Sequence, residues 1–406
     1  MPDASAPLKQ EAENHSFRIL AILSMLMAFA SISTDFYLPA MPVMRDALHA
    51  GKGAVELTIS SYLIGFSLGQ LVWGPVSDRW GRRGPIAIGL VLFVIGSAGC
   101  AMSTSVTMMI SWRVLQAVGA CASVVLARAM VSDLYEGSRA AQMLSTFMMV
   151  MAIAPLIGPS LGGQILYWFS WQAIFWTLVG VGVATLAALF VLPETLPPGR
   201  RHTEPLGKMF KRYGELLRHR QLLGYAGAGG FFYGGTFAYI AGSPFAYISY
   251  HHVAPRFYGL LFGAGAIGVM LSNLINARLV KRLGSDALMR AGSAGAALTS
   301  IWLALDAWTD WGSLFGLAIP LFLFVSTTGF IVANSIAGAL NLFPQRAGAV
   351  SALVGSMQYG TGVLGSALVG FLADGTPRPM GGVVAVLGVS TLLCARFLVP
   401  RRLSDW

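Results

Sequence analysis

"WGPVSDRWGRRGP" runs from Trp73 to Pro85. One acid, Asp78, and three arginines, Arg79, Arg82 and Arg83, are crowded between Gly74, Gly81 and Gly84, with long apolar runs on either side. The chain has 406 residues, of which 55% are hydrophobic and 11% charged. A soluble domain carries roughly 25% charged residues. So little charge cannot cover a water-exposed surface at this length. The chain therefore reads as an integral membrane protein, and the quoted stretch as a tight turn at the membrane surface.

Crossing a bilayer takes about 20 apolar residues. Twelve such runs are present, at about 17–40, 54–75, 85–103, 107–131, 141–166, 171–192, 221–249, 257–280, 286–305, 312–338, 346–372 and 380–399. Their length favours helices over barrel strands, which would alternate over about 10 residues. The expected fold is an all-α polytopic membrane protein with twelve transmembrane helices in two pseudo-symmetric six-helix bundles. Residues 1–16 form an N-terminal tail, 17–192 one bundle, 193–220 a linker, 221–399 the second bundle and 400–406 a C-terminal tail.

The basic loops set the orientation. Arg79, Arg82 and Arg83 share one side with Arg200, Arg201, Lys208, Lys211, Arg212, Arg218 and Arg220 of the linker, and with Lys281, Arg282, Arg401 and Arg402. The other side has Arg45, Lys52, Arg256 and Arg378. Positive charge stays inside, so both termini are expected in the cytoplasm. The polar start of the chain, with Asp3, Glu11 and Glu13, is unlike a signal peptide, and the first span is expected to remain uncleaved.

Other classes are disfavoured. The net charge of +10 belongs to these loops, and no aromatic-plus-basic motif suggests nucleic acid. Cys100, Cys121 and Cys394 lie in apolar runs and read as buried small residues. The pair His251 and His252 has no third ligand at metal-binding spacing. No G-x-x-x-x-G-K-[ST] loop points to direct ATP use, and no H-E-x-x-H motif points to a protease. No metal or cofactor is expected.

Two short matches reveal a duplication. "TDFYLPAMP" (Thr34–Pro42) parallels "TFAYIAGSP" (Thr236–Pro244) at an offset of 236 − 34 = 202. "VSDRWG" (Val76–Gly81) parallels "LVKRLG" (Leu279–Gly284) at an offset of 284 − 81 = 203. Offsets near half the chain suit the repeats of secondary transporters.

An ionisable group inside a span costs about 2.5–3.5 kcal/mol at its centre, so it needs a partner, water or a purpose. Asp35 in the first span and Arg113 in the fourth are the clear cases. Both fall about 10–12 Å below the outer surface. Two readings follow. They form a structural pair that orients two helices, or Asp35 is a proton-titratable acid in a substrate cavity with Arg113 beside it. The repeat places Phe237 where the first half has Asp35, so one half alone carries the acid. Pro39 and Pro42 beyond Asp35 mark either a hinge or the helix end. Tyr37, Tyr62, Gln116, Phe232, Phe237, Tyr239, Asn273, Asn334 and Gln358 are the candidate cavity residues, aromatic with a few hydrogen-bonding groups.

The motifs together resemble a known family. "GPVSDRWGRRG" is similar to the loop between the second and third spans of the major facilitator superfamily. "RVLQAVG" (Arg113–Gly119) resembles its fourth-span R-x-x-Q-G motif, with one extra residue before the glycine and Ala117 in the glycine's place. "APLIGPSLGG" (Ala154–Gly163), with Pro155, Gly158, Pro159, Gly162 and Gly163, resembles the fifth-span antiporter motif. "STDFYLPAMP" (Ser33–Pro42) and "FSLGQLVWGP" (Phe66–Pro75) resemble the bicyclomycin-resistance (Bcr/CflA) drug/proton antiporters.

The resemblance implies a monomeric, proton-driven exporter of small, mostly apolar drugs or metabolites in a bacterial inner membrane. Asp35 would carry the proton, Arg113 would tune or relay it, and the fifth-span motif would seal the interface. Asp78, Arg79, Arg82 and Arg83 would form a cytoplasmic gate with Asp133 and Glu136. Asp78 is also placed to accept from a neighbouring helix N-terminus. A proton symporter or facilitator of the same superfamily is the rival reading. A membrane sensor or enzyme is more remote, lacking a soluble domain or catalytic cluster.

Overall fold

The computed structural model describes residues 16–135, 137–197, 199, 201 and 213–399. Glu136, both expected tails, and Arg200, Lys208, Lys211 and Arg212 of the linker lie outside the described residues, apart from Ser16 at the start of the first helix.

Twelve rods cross the molecule among the described residues. The first is α1 (Ser16–Asp35) followed by a 3₁₀ turn (Leu38–Ala40) and the short α2 (Met41–Ala47). Then come α3 (Leu57–Trp80), α4 (Arg83–Ala101), α5 (Val106–Leu134), α6 (Gly137–Trp168) and α7 (Trp171–Leu189). After the linker follow α8 (Arg220–Pro244), with a π-helical end at Phe245–Tyr250, α9 (Pro255–Leu283) and α10 (Ser285–Thr309). The tenth rod is α11 (Ser313–Ser326) joined to α12 (Thr328–Leu342), and α13 (Ala347–Phe371) and α14 (Arg378–Phe397) complete the set.

Local chemistry fixes the ends. Ser105 and Ser170 accept from Met108 N (3.3 Å) and Ala173 N (3.4 Å), which caps α5 and α7. Gly81 (φ 92°) and Gly284 (φ 79°) end the second helix of each half in a backbone region that side chains disfavour. These two glycines are the equivalent positions of the repeat.

Two of the shifted span ends bear on the candidate sites. The first span was placed at 17–40, but its helix ends at Asp35, because Pro39 has no N–H to continue the ladder. The second was placed at 54–75, yet α3 continues through Pro75 to Trp80. Asp78 and Arg79 therefore sit on the last helical turn, and the turn proper is Gly81 and Arg82.

Eight helical stretches among the described residues are apolar and long enough to cross a membrane on composition alone. The remaining rods, α3, α6, α8 and α13, run along the seams or the cavity between the two bundles.

The bundles α1–α7 and α8–α14 meet along two seams, α3 against α13 and α6 against α9. In the first, Lys52 Nζ donates to the Asp374 carbonyl (2.8 Å), Ser60 pairs with Ser366 (2.8 Å), and Ser67 pairs with Ser356 (3.1 Å). In the second, Gly259 rests on Ser160 and Gly163 on Pro255, where a Cβ would collide with backbone. Small residues let the backbones approach this closely. Both seams close the end of the molecule opposite the arginine turn, called here the far face.

Candidate functional site

Between the bundles lies a cavity of about 260 Å³. The first bundle contributes Asp35, Tyr62, Phe66 and Pro155, and the second Phe232, Tyr233, Phe237, Tyr239, Phe262 and Tyr359. Rings from opposite bundles touch across it. The centroids of Phe66 and Tyr359 are 4.5 Å apart, and Tyr359 also meets Phe237 at 6.0 Å. Such walls hold flat apolar molecules through area burial and ring contacts.

Asp35 is the acid among the lining residues. It is the last residue of α1 and 4% exposed. Thr34 Oγ1 donates to its Oδ1 (3.0 Å), and no lysine or arginine lies within 4.0 Å of it among the described residues. The carboxyl is therefore hydrogen-bonded but not neutralised by an adjacent cation. Gly158 of α6 packs on it; a Cβ there would lie 3.0 Å from the Asp35 Cβ.

Arg113 is fully buried one layer behind the cavity. Its guanidinium is sandwiched between Tyr37 and Tyr62, 4.3 and 4.4 Å from the ring centroids. Nη1 donates to the Ser33 carbonyl (2.9 Å) and to Gln116 Oε1 (2.6 Å), while Nε and Nη2 lack hydrogen-bond partners. The helix break after Asp35 frees the Ser33 carbonyl for this bond. Asp35 and Arg113 thus belong to one assembly without being an ion pair. Ser33, Thr34 and Tyr62 connect them.

Four of the nine expected cavity residues, Tyr62, Phe232, Phe237 and Tyr239, line the cavity. The other five do not. Tyr37 is buried against Thr58 (3.1 Å) and Arg113. Gln116 bridges Arg113 and Ser97 (2.8 Å). Asn334 donates to Asn276 (2.7 Å) between α12 and α9, Asn273 is exposed and bonds the Val269 carbonyl, and Gln358 is buried outside the lining with Nε2 unpartnered. Phe66, Tyr359 and Phe262 were missed. Their helical spacing reads as ordinary core until the facing bundle is known.

The α6 motif faces two ways. Gly158 and Gly162 seat α6 on Asp35 and Phe36, and Gly163 meets Pro255 of α9. Any Cβ at Gly162 would strike the Phe36 carbonyl. Gly162→Ala should therefore force the α1 end and α6 apart, with a cost of about 1–3 kcal/mol typical of overpacking. Thermal unfolding of the purified variant should show the loss, together with reduced transport.

At the arginine turn, Arg82 is the hub and is 8% exposed. It donates to Asp78 Oδ1 (2.6 Å), Asp133 Oδ2 (2.8 Å) and Ser77 Oγ (2.7 Å). Arg83 instead donates to the Phe190 carbonyl (2.9 Å). Arg82 makes these bonds from a buried position. The acid at the neighbouring helix N-terminus is not Asp78 but Glu194, which accepts from Arg82 N (2.8 Å) and Arg83 N (3.0 Å). Glu194 sits between prolines directly after the sixth rod, a position that signalled only a loop. Glu194→Ala would strand these N–H groups. A loss of about 2 kcal/mol is expected, in the range for hydrogen bonds to charged groups, read as a lower unfolding temperature.

Two pseudo-equivalent helix bundles around a central cavity, with a buried acid in one half, define a secondary-transporter architecture. The chain belongs to the Major Facilitator Superfamily, whose family model matches residues 23–366. It is a multi-pass membrane transporter rather than an enzyme. It is 34% identical to the uncharacterized MFS-type transporter YdgK of Bacillus subtilis, covering 95% of this chain and 96% of the relative. It is 31% identical to the bicyclomycin resistance protein homolog of Haemophilus influenzae, covering 95% and 96%. Multidrug resistance protein D of Escherichia coli is 28% identical over 93% of this chain and 94% of its own. Among solved structures, the D-xylose-proton symporter superimposes with a TM-score of 0.75 at 15% identity, covering 95% of this chain and 98% of that one. At that identity the likeness shows the shared fold.

Proposed function

We propose that the protein exports small, mostly apolar drugs or metabolites from the cytoplasm in exchange for protons. One observation carries the proposal: a buried carboxyl without a cation partner forms part of the wall of an aromatic, drug-sized cavity. The names of the bicyclomycin-resistance and multidrug-resistance relatives support the drug class. The α6 glycines packed against Asp35 support antiport over symport, through their resemblance to the antiporter motif. In this reading the arginine turn and both termini face the cytoplasm of a bacterial inner membrane, the far face meets the periplasm, and one chain is the working unit. No cofactor takes part; the proton gradient drives the cycle.

The mechanism needs only linkage. Drug entering the cavity from the cytoplasm desolvates and crowds Asp35 and favours proton release. A proton arriving from the periplasm at Asp35 favours drug departure. Each ligand shifts the equilibrium between inward-open and outward-open states by its differential affinity for the two. Arg113, locked between Tyr37 and Tyr62, tunes the acid through Tyr62 and Ser33. The α6 glycines keep the cavity wall tight while the bundles rock. The Arg82 clasp holds the first bundle as one body at the cytoplasmic face.

Inverted vesicles with an acidic lumen test the direction. Adding drug outside should make the lumen more alkaline as protons leave in exchange. Acidification of the lumen would instead establish symport.

A further inference from the structure

Another buried carboxylate lies outside the aromatic cavity. Glu56 immediately precedes α3 and is 4% exposed. Its side chain makes no capping bond, and Oε2 has no hydrogen-bond partner. It sits in the wall of a cavity of about 50 Å³ at the far face, where the two bundles touch. The contact is backbone to backbone. A Cβ on Gly53 would collide with the Gly370 carbonyl, and one on Gly370 would lie 2.8 Å from the Gly53 carbonyl oxygen and 3.4 Å from the Glu56 Cβ.

The charged groups around it are engaged elsewhere. Arg45 of α2 pairs with Asp46 (3.1 Å) and lies over the Phe245 ring. Lys52 donates to the Asp374 carbonyl (2.8 Å), and the Asp374 carboxylate accepts from Thr376 N (2.8 Å) and Oγ1 (2.7 Å). Arg378, at the start of α14, lies over the Trp308 ring. Gly242 of α8 and Phe245 and Ser249 of its π-helical end add no titratable group, and neither do Val369 and Ala373 around the end of α13. No ion pair within 4.0 Å reaches Glu56 among the described residues.

We propose that Glu56 is a second proton-binding site, one that reads the pH at the far face and holds the α3–α13 seam shut while it carries its proton. A buried carboxylate with an unpartnered oxygen is costly to leave charged. Parting the seam lets water in, and Arg45 and Lys52 stand in the same cavity to pair with the ionised group. The proton is therefore bound more tightly in the closed state than in the open one. Closure is fully favoured below the pH at which Glu56 ionises in the open state. It is lost as pH rises through the ionisation of the closed state. Its use in the cycle rests on the drug/proton antiport proposed above: protons from an acidic outer compartment would close the outer gate behind them.

Spin labels at Gly51 and Leu372 of the full chain, on a Cys394→Ser background in lipid nanodiscs, report the seam distance without drug. The closed-to-open ratio should fall by up to about tenfold per pH unit between the two ionisation points. Glu56→Gln should hold the seam closed at every pH, while Asp35→Asn should keep the response. If Glu56→Gln does not fold, Glu56→Met, uncharged and of similar volume, carries the same expectation. A wild-type seam indifferent to pH, or a Glu56 variant that responds like wild type, overturns the proposal. Failure of the antiport reading would look different: drug would not alkalinise inverted vesicles, while the seam would still follow pH.

Discussion

Asp35→Asn should abolish drug accumulation driven by a pH gradient, down to the level of vesicles without protein, while the chain still inserts and folds. Asparagine nearly matches aspartate in volume, and its carbonyl oxygen can still accept from Thr34, as Asp35 Oδ1 does at 3.0 Å. Gly158 leaves the same room for its Cβ. The rings of Tyr62, Phe66, Phe237 and Tyr359 are untouched, so drug should still bind. What disappears is the ability of this site to gain and lose a proton, and with it the exchange of drug for a proton in the aromatic cavity. Exchange of labelled for unlabelled drug needs no net proton movement and should persist. Gradient-driven export by this variant would remove Asp35 from the proton pathway.

Arg113→Ala should cause the largest loss of stability among these substitutions. The guanidinium makes two hydrogen bonds and lies between two tyrosine rings in a site without water access. Hydrogen bonds to a charged group contribute about 1.5–3 kcal/mol each, and a desolvated cation–π contact about 2. The truncation also strands Gln116 Oε1 and the Ser33 carbonyl. A cost of at least about 3 kcal/mol follows, with a matching drop in unfolding temperature and loss of transport. Arg113→Lys separates charge from shape. Lysine keeps the charge but lacks the planar fork that stacks on both rings and bonds two acceptors, so it should rescue folding in part and transport poorly. Near-normal, pH-dependent transport by either variant would reject a coupling role for Arg113.

Most of the fold could be read from the sequence, because long apolar runs have few alternatives in a bilayer. The duplicated glycines are a sharp instance. Gly81 and Gly284 were matched by offset, and both take positive φ at the end of the second helix of their half. Span edges were less legible. Polar residues on a final helical turn at the membrane surface, such as Asp78 and Arg79, resemble loop residues until backbone geometry shows where the turn begins.

The cavity was partly legible. Asp35 was marked by its cost, and Phe232, Phe237 and Tyr239 by their aromatic character. Composition does not give the rotation of each helix about its axis or the face it shows the other bundle. Asn273 and Asn334 therefore looked like cavity groups, although one is exposed and the other bonds Asn276 between helices. Tyr359 looked like packing and forms the opposite wall. Glu194 and Glu56 were overlooked for a shared reason. Each is a single acid beside a span end, where solvent would normally satisfy it. Only the tertiary fold places Glu194 over two helix N–H groups and buries Glu56 in a seam between bundles.

Proton release on drug binding tests the central claim most directly. Purified protein in weakly buffered detergent solution, followed with a pH-sensitive dye, should release protons when a transported drug is added at a pH where Asp35 is protonated. Asp35→Asn should bind the same drug and release none. Equal proton release from both proteins would contradict the account, because the group displaced by drug would then lie elsewhere.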